Sequence, residues 1–110
     1  MIIPGNGGLA GLEKALMESI DEGLLALGMN VRQVLYLYLE RHYKVRREDI
    51  PERIRDLHDV LKDLLGDGGE VLEKFIARRF YSRLGLEFID HKGWTLIDYL
   101  ENARNLYKEN

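Results

Sequence analysis

Apolar residues recur at steps of three and four through almost the whole chain, and glycines interrupt the pattern at roughly helix-length intervals. Leu9, Leu12, Leu16, Ile20, Leu24 and Leu27 gather on one face of a helix. Gly28 follows as the expected C-terminal stop, since a left-handed backbone is cheap only for glycine. Asn30 is placed to cap a second helix over about Val31 to Tyr43, with Val31, Val34, Leu35, Tyr38 and Leu39 on one face. The run Val34-Leu35-Tyr36-Leu37-Tyr38-Leu39 also has the length and residue types of a buried strand. Helix is preferred because the periodicity extends beyond the run and no partner strand is evident.

The later helices carry clearer punctuation. Asp49-Ile50-Pro51-Glu52 is a capping-box arrangement for a third helix, with Asp49 as N-cap, Glu52 at its third position and Pro51 in the tolerant first turn. Ile54, Leu57, Leu61, Leu64 and Leu65 line its inner face until Gly66. Asp67-Gly68-Gly69-Glu70 repeats the device before a fourth helix, which runs to Leu84 and stops at Gly85, with Leu86 supplying the apolar contact of a Schellman end. Residues 87–93 form a connection with a turn at His91-Lys92-Gly93, and Thr95 with Asp98 caps a final helix whose inner face is Leu96, Leu100, Ala103 and Tyr107. The expected fold is all-α, a single compact bundle of about five helices over residues 9–110, centred on the second to fourth, behind a flexible glycine-rich arm over 1–8. Its core is expected to hold Leu16, Ile20, Leu35, Leu39, Leu57, Leu61, Leu64, Phe75, Phe80, Leu100 and Tyr107.

Composition excludes several classes of function. At 110 residues one domain is natural, and such a chain buries roughly two-thirds of its unfolded surface. The absence of cysteine rules out a disulfide scaffold, a zinc ribbon, an iron–sulfur site and a thiol nucleophile together. The longest apolar stretch falls well short of the ~20 residues of a membrane span, and the first residues lack the basic region of a signal peptide. A cytoplasmic protein with no membrane partner is expected. A charged fraction of 32%, with Gln33 the only glutamine, follows the thermophile pattern.

No motif for chemistry survives comparison with its simpler reading. Gly5-Asn6-Gly7-Gly8 with Gly11 invites a phosphate loop, but only Ile2-Ile3 precedes it and no Walker lysine–serine/threonine pair follows. His42, His58 and His91 lack the one-turn partners of a helical metal site, and Glu87 with His91 is the nearest approach to a ligand pair. His42 is expected near the centre of an apolar face and His58 at the edge of one. Ser19, Ser82 and Thr95 are the only hydroxyl nucleophiles of their kind, and Ser82 has no nucleophile-elbow context. The carboxylates fall at caps or on polar faces, with Asp56, Asp59 and Asp63 on the outer side of the third helix, and show no acid–base pair in a shared cleft. The chain is therefore expected to be non-enzymatic, with no cofactor, metal or catalytic residue.

Charge is distributed unevenly. Residues 40–47 carry a net +3 through Arg41, Lys44, Arg46 and Arg47, whereas residues 48–74 carry a net −5. With Tyr36, Tyr38 and Tyr43 nearby, the basic segment is a candidate phosphate contact. The overall net charge of −3 favours instead a solvated surface pairing with the adjacent acidic helix. Arg79 falls on a helical wheel between Val71, Leu72, Phe75 and Ile76, with Arg83 one turn on. An unpaired buried guanidinium is costly, so Arg79 must snorkel, find a carboxylate or face a partner. Met17, Leu25 and Leu37 lie off the main stripes. With Arg79 and Arg83 they are the interface candidates for a symmetric homodimer.

Val31-Arg32-Gln33-Val34-Leu35-Tyr36-Leu37-Tyr38-Leu39-Glu40 followed by Arg46-Arg47-Glu48-Asp49-Ile50-Pro51-Glu52 resembles a small archaeal helical family, the Nitrosopumilus-type output domain. Gly66-Asp67-Gly68-Gly69-Glu70-Val71-Leu72-Glu73-Lys74 leading to Tyr81-Ser82-Arg83-Leu84-Gly85-Leu86 extends the resemblance over roughly residues 10–107. Such domains occur alone or attached to signalling modules such as receivers. The resemblance implies signal output and carries no catalytic or ligand residues. The functional expectation is a small helical interaction module, standalone, in archaeal signalling or regulation and acting on a protein partner; the alternative is a nucleic-acid-associated regulator using residues 41–47.

Overall fold

Gly28 has a backbone φ of +126°, a conformation that L side chains rarely adopt, and it separates the first two helices. Before it lies α1 (Leu9–Ala26) and after it α2 (Met29–Tyr38). Residues 9–109 are those described by the computed structural model, so the arm expected over 1–8 lies outside the described residues. Gly28 serves as the N-cap of α2, and Asn30 is the second residue of α2 rather than its cap. Residues 34–38 are α-helical, not a strand, but the α geometry ends at Tyr38, and Leu39–Tyr43 wind as a π turn. Lys44 closes that turn in the left-handed region, at φ 59°, with its N–H donating to the Glu40 carbonyl. The reversal leaves Val45 fully enclosed.

The Asp49-Ile50-Pro51-Glu52 segment belongs to a separate 3₁₀ helix over Arg47–Glu52. Its Asp49 carboxylate accepts the Arg46 N–H at 3.4 Å, and α3 (Ile54–Leu65) starts only after Arg53. Asp49 therefore caps the 3₁₀ turn and not the third α-helix. Asp67 is the first residue of α4 (Asp67–Leu84), with Gly66 at the cap position. The far end of α4 matches the sequence: Gly85 is left-handed, its N–H donates to the Ser82 carbonyl, and the Leu86 N–H donates to that of Tyr81, completing a Schellman end. At α5 (Leu96–Glu109) the Thr95 N–H donates to Asp98 at 2.8 Å, as its spacing suggested.

The fold is all-α, with no strand among the described residues. No described helix is long and apolar enough to cross a membrane. The centre is α4, against which α1, α3 and α5 all pack, and α1–α4 is the most extensive pairing. This corrects the expectation of a centre formed by the second to fourth helices, since α2 rests mainly on α1. Leu16, Ile20, Leu35, Leu39, Leu57, Leu61, Phe80 and Leu100 are buried, and Tyr107 is half-buried. Leu64 and Phe75 are exposed at 50% and 38%. They sit at the borders of their stripes, Leu64 in the last turn of α3 and Phe75 on the side of α4 turned away from its buried Glu73–Ala77–Phe80 face.

The connection after α4 is held by aromatic packing. The Tyr81 hydroxyl donates to the Tyr99 carbonyl at 2.7 Å and accepts from Asn102. Burial raises the Tyr81 hydroxyl above its ordinary pKa. Phe88 meets Tyr81 edge-on and stacks against Tyr99, whose hydroxyl accepts the His91 N–H.

Close approach of α3 and α4 depends on Gly69, where a Cβ would lie 2.8 Å from the Leu61 carbonyl oxygen. Backbone cannot retreat as a side-chain tip can, so Gly69→Ala should lower the unfolding free energy by about 1–3 kcal/mol. At Gly68 the nearest neighbour of an added Cβ is 3.8 Å away, and Gly68→Ala should leave stability unchanged or raise it by about 0.5 kcal/mol. Urea titration of the two variants checks this; equal stabilities would show that the contact does not restrict position 69.

Candidate functional site

Arg79 finds its carboxylate inside the chain. Its Nε lies 3.0 Å from Glu22 of α1, and its side chain is about half exposed. Arg83 reaches Glu22 at 2.8 Å, Glu18 at 3.6 Å and the Ser19 hydroxyl at 3.1 Å. Ser19 is buried and donates to the Ala15 carbonyl. The four charged groups form a ladder along the α1–α4 seam, and Arg83 first, then Arg79, hold the Glu22 carboxyl below its ordinary range. Arg79 therefore needs no carboxylate from a second chain. Met17, taken from the sequence as surplus apolar surface, is buried, whereas Leu25 and Leu37 are exposed.

The basic segment divides into two parts. Arg47 is bound to Asp21 of α1, which also accepts the Tyr36 hydroxyl. Burial, then Asp21, pushes that hydroxyl well above its usual pKa. Arg41, Lys44 and Arg46 are exposed and have no carboxylate partner among the described residues. With Leu37 and Glu40 they border an open cleft. His42 does not lie on the apolar face; it is exposed at the π turn and packs against Tyr38 in a tilted arrangement, with ring centroids 4.3 Å apart.

Glu73 is 4% exposed, within the apolar face of α4. One carboxylate oxygen lies 2.6 Å from His58 Nδ1 on α3, and the other accepts the Leu96 N–H at 2.8 Å, at the start of α5. His91 stacks on Trp94 at 3.8 Å while Glu87 is exposed. No group of three or more His, Asp or Glu suited to a metal occurs among the described residues.

Among the clefts of the described surface one is wholly apolar in its lining. Val31, Val34 and Leu35 of α2 face Leu64 and Leu65 of α3 across an open space of about 300 Å³, with Asn30 at one end. Val34 is 61% exposed. The groove belongs to a wider apolar end of the bundle. Gly23 of α1 meets Leu72 and Ile76 of α4, while Glu18 and Glu22 meet Arg83 and Arg79, so α1 and α4 are antiparallel. Tight turns join α1 to α2 and α3 to α4. The exposed Leu27 and Met29, and the Val71 side of α4, consequently come to the same end as Leu64. Desolvation first, then the charges of Asp63, Tyr38, Asp59 and Asp56, raise the Tyr43 hydroxyl above its ordinary pKa. Asp56 is paired with Arg53 at 2.7 Å, whereas Asp59 and Asp63 have no cation partner among the described residues.

Sequence reasoning placed Leu64 in the core and left Val34 on an inner face, so it did not find this groove. The missing information was the divergence of α2 from α3, which no wheel records. Glu73 was also missed, although a carboxylate flanked by Leu72, Ile76 and Ala77 is a readable signal. No family model, curated protein or solved structure matches the chain.

Two outcomes test these contacts. Glu73→Ala leaves the buried Leu96 N–H without its acceptor and His58 without its partner, and should cost about 3 kcal/mol in chemical unfolding; a loss below about 1 kcal/mol would show that water or relaxation replaces both bonds. The folded pKa of Glu22 is depressed, so its ion pairs add stability above the unfolded carboxyl pKa and lose it as pH falls through the folded value. The stability difference between the parent and Glu22→Gln should therefore be present at neutral pH and shrink on acidification; a pH-independent difference would contradict the pairing.

Proposed function

We propose that the chain is a non-enzymatic helical interaction module of the output type that its sequence resembles, acting in the cytoplasm in archaeal signalling or regulation. The observation that carries this reading is the α2–α3 groove, open and lined by apolar side chains at the end of the bundle where several other large apolar residues are exposed. Apolar surface gathered at one end, away from the charged α1–α4 ladder, marks a place where another molecule excludes water. The resemblance over roughly residues 10–107 supports the signalling context and rests on the residues quoted for it alone.

A second reading, a nucleic-acid-associated regulator, draws on Arg41, Lys44 and Arg46 beside the π turn. π turns are frequent at functional sites, and these three cations are uncommitted within the described residues. Arg47 is withdrawn from that set by Asp21.

Photo-crosslinking in cells of the source organism tests the module. A benzophenone side chain at Val34 should capture a discrete protein, and one at exposed Glu101 should not. Equal capture at both positions, or none at Val34, would count against an interaction through this end. RNA or DNA captured from a probe at Lys44 instead would favour the second reading.

A further inference from the structure

We infer that the outer face of α4 docks a second copy of this chain, the two α4 helices running antiparallel about a two-fold axis. Asp67, Glu70, Val71, Lys74, Phe75 and Arg78 recur at helical spacing along one stripe of α4, and together they line an open cleft of about 600 Å³. The opposite wall is the stacked His91–Trp94 pair. Val71 is 73% exposed and Phe75 38%, so the stripe leaves two large apolar side chains in water.

The order of charge along the stripe identifies the occupant. Its first turn is acidic, through Asp67 and Glu70, its farther half is basic, through Lys74 and Arg78, and Val71 and Phe75 lie in the middle. Such a stripe is its own complement when reversed. In an antiparallel pair centred between Leu72 and Glu73, Asp67 comes level with the partner's Arg78, Glu70 reaches the partner's Lys74, and Val71 meets the partner's Phe75. A two-fold axis makes each of these contacts twice. An unrelated helix would need this polarity by coincidence, whereas a second copy has it by symmetry.

The surrounding charges leave the polarity intact. Asp67 and Glu70 have no cation partner among the described residues, because Lys74, one turn from Glu70, turns instead to Asp90 at 3.0 Å. Asp90 approaches Arg78 only to 4.0 Å, and the Arg78 guanidinium lies over the Phe88 ring with its side chain 56% exposed. Two cations against Asp90 keep that end net positive, facing two uncompensated carboxylates. Lys92 does not line the cleft, and Arg79 is committed to Glu22 on α1. Acids in the first turn and cations beyond it also suit the dipole of α4 itself. That accounts for the signs, but not for Val71 and Phe75 standing exposed between them. The inference is independent of the α2–α3 groove. It moves the expected homodimer contact away from Arg79 and Arg83, whose carboxylates lie within the chain.

A single helix pair with one flanking wall is at the small end of specific interfaces, so association belongs in the micromolar range. Sedimentation equilibrium of the full chain at such concentrations should show the 12.8 kDa protomer exchanging with its dimer. Asp67→Lys with Glu70→Lys makes the stripe wholly basic, and Lys74→Glu with Arg78→Glu makes it wholly acidic. Each variant alone should dimerise about tenfold or more weakly, and an equimolar mixture should recover a heterodimer. Lysines in the first turn oppose the helix dipole, so melting curves check folding. Val71→Arg at its open position should give the same loss of dimer without removing a charge. The chain has no cysteine, so Val71→Cys should form an intermolecular disulfide under mild oxidation and Glu101→Cys should not. A 12.8 kDa monomer at every concentration would overturn the inference. So would a dimer indifferent to the charge reversals, folded variants whose mixture stays monomeric, or a dimer abolished by Val34→Ser with Leu64→Ser, which would place the second copy in the groove.

Discussion

Three helices of this bundle meet at one buried carboxylate. Glu73 lies inside the apolar face of α4, where an ion or even a dipole without partners is expensive. It is tolerated because both of its oxygens are used, one by His58 of α3 and one by the first backbone N–H of α5. The second contact has an added electrostatic logic, since a helix N-terminus presents unpaired N–H groups and a partial positive charge. The start of α5 is thus fixed by an acid from another helix as well as by its local Thr95–Asp98 cap. Apolar burial around α4 supplies the cohesion, but it is not directional. The Glu73 bonds specify how α3 and α5 are placed against α4.

The parts of the fold legible in the sequence were those decided by local chemistry. Gly85 followed by Leu86 determines a helix end within a few residues, and Thr95 with Asp98 determines a helix start. Where two local solutions compete, the chain takes the one that tertiary packing selects. Asn30 and Gly28 were both plausible boundaries, and the glycine φ allows a tight turn that places α2 directly after α1. Asp49 had the signature of a cap for the third helix, yet Pro51 and the buried Ile50 draw the segment into a 3₁₀ turn of its own. The π turn at Leu39–Tyr43 has no sequence signal in the apolar spacing, and it is what turns His42 outward.

Candidate-site residues fared differently for a related reason. Helical periodicity reports which face of a helix is apolar, not whether another helix stands opposite it. Val34 and Leu64 belong to apolar faces, and both remain open because α2 lies on α1 and diverges from α3. Arg79 presented the reverse case, a cation beside apolar positions whose neighbour was unknown; α1 supplies Glu22 and resolves it.

The α1–α4 pairing has a consequence for how the chain reaches its native state. Only Gly66 separates α3 from α4 and residues 85–95 separate α4 from α5, so the α3–α4 and α4–α5 contacts close shorter loops than the α1–α4 ones. The α1–α4 contacts, the most extensive of all, join segments separated by the whole of α2, the π turn, the 3₁₀ helix and α3. Contacts of that sequence separation are rewarded only after a long loop has closed, and they slow folding relative to local ones. On that measure the C-terminal three helices hold the more local contacts and α1 the more distant ones. The groove between α2 and α3 lies where the part of the molecule anchored through distant contacts meets the part built from more local ones.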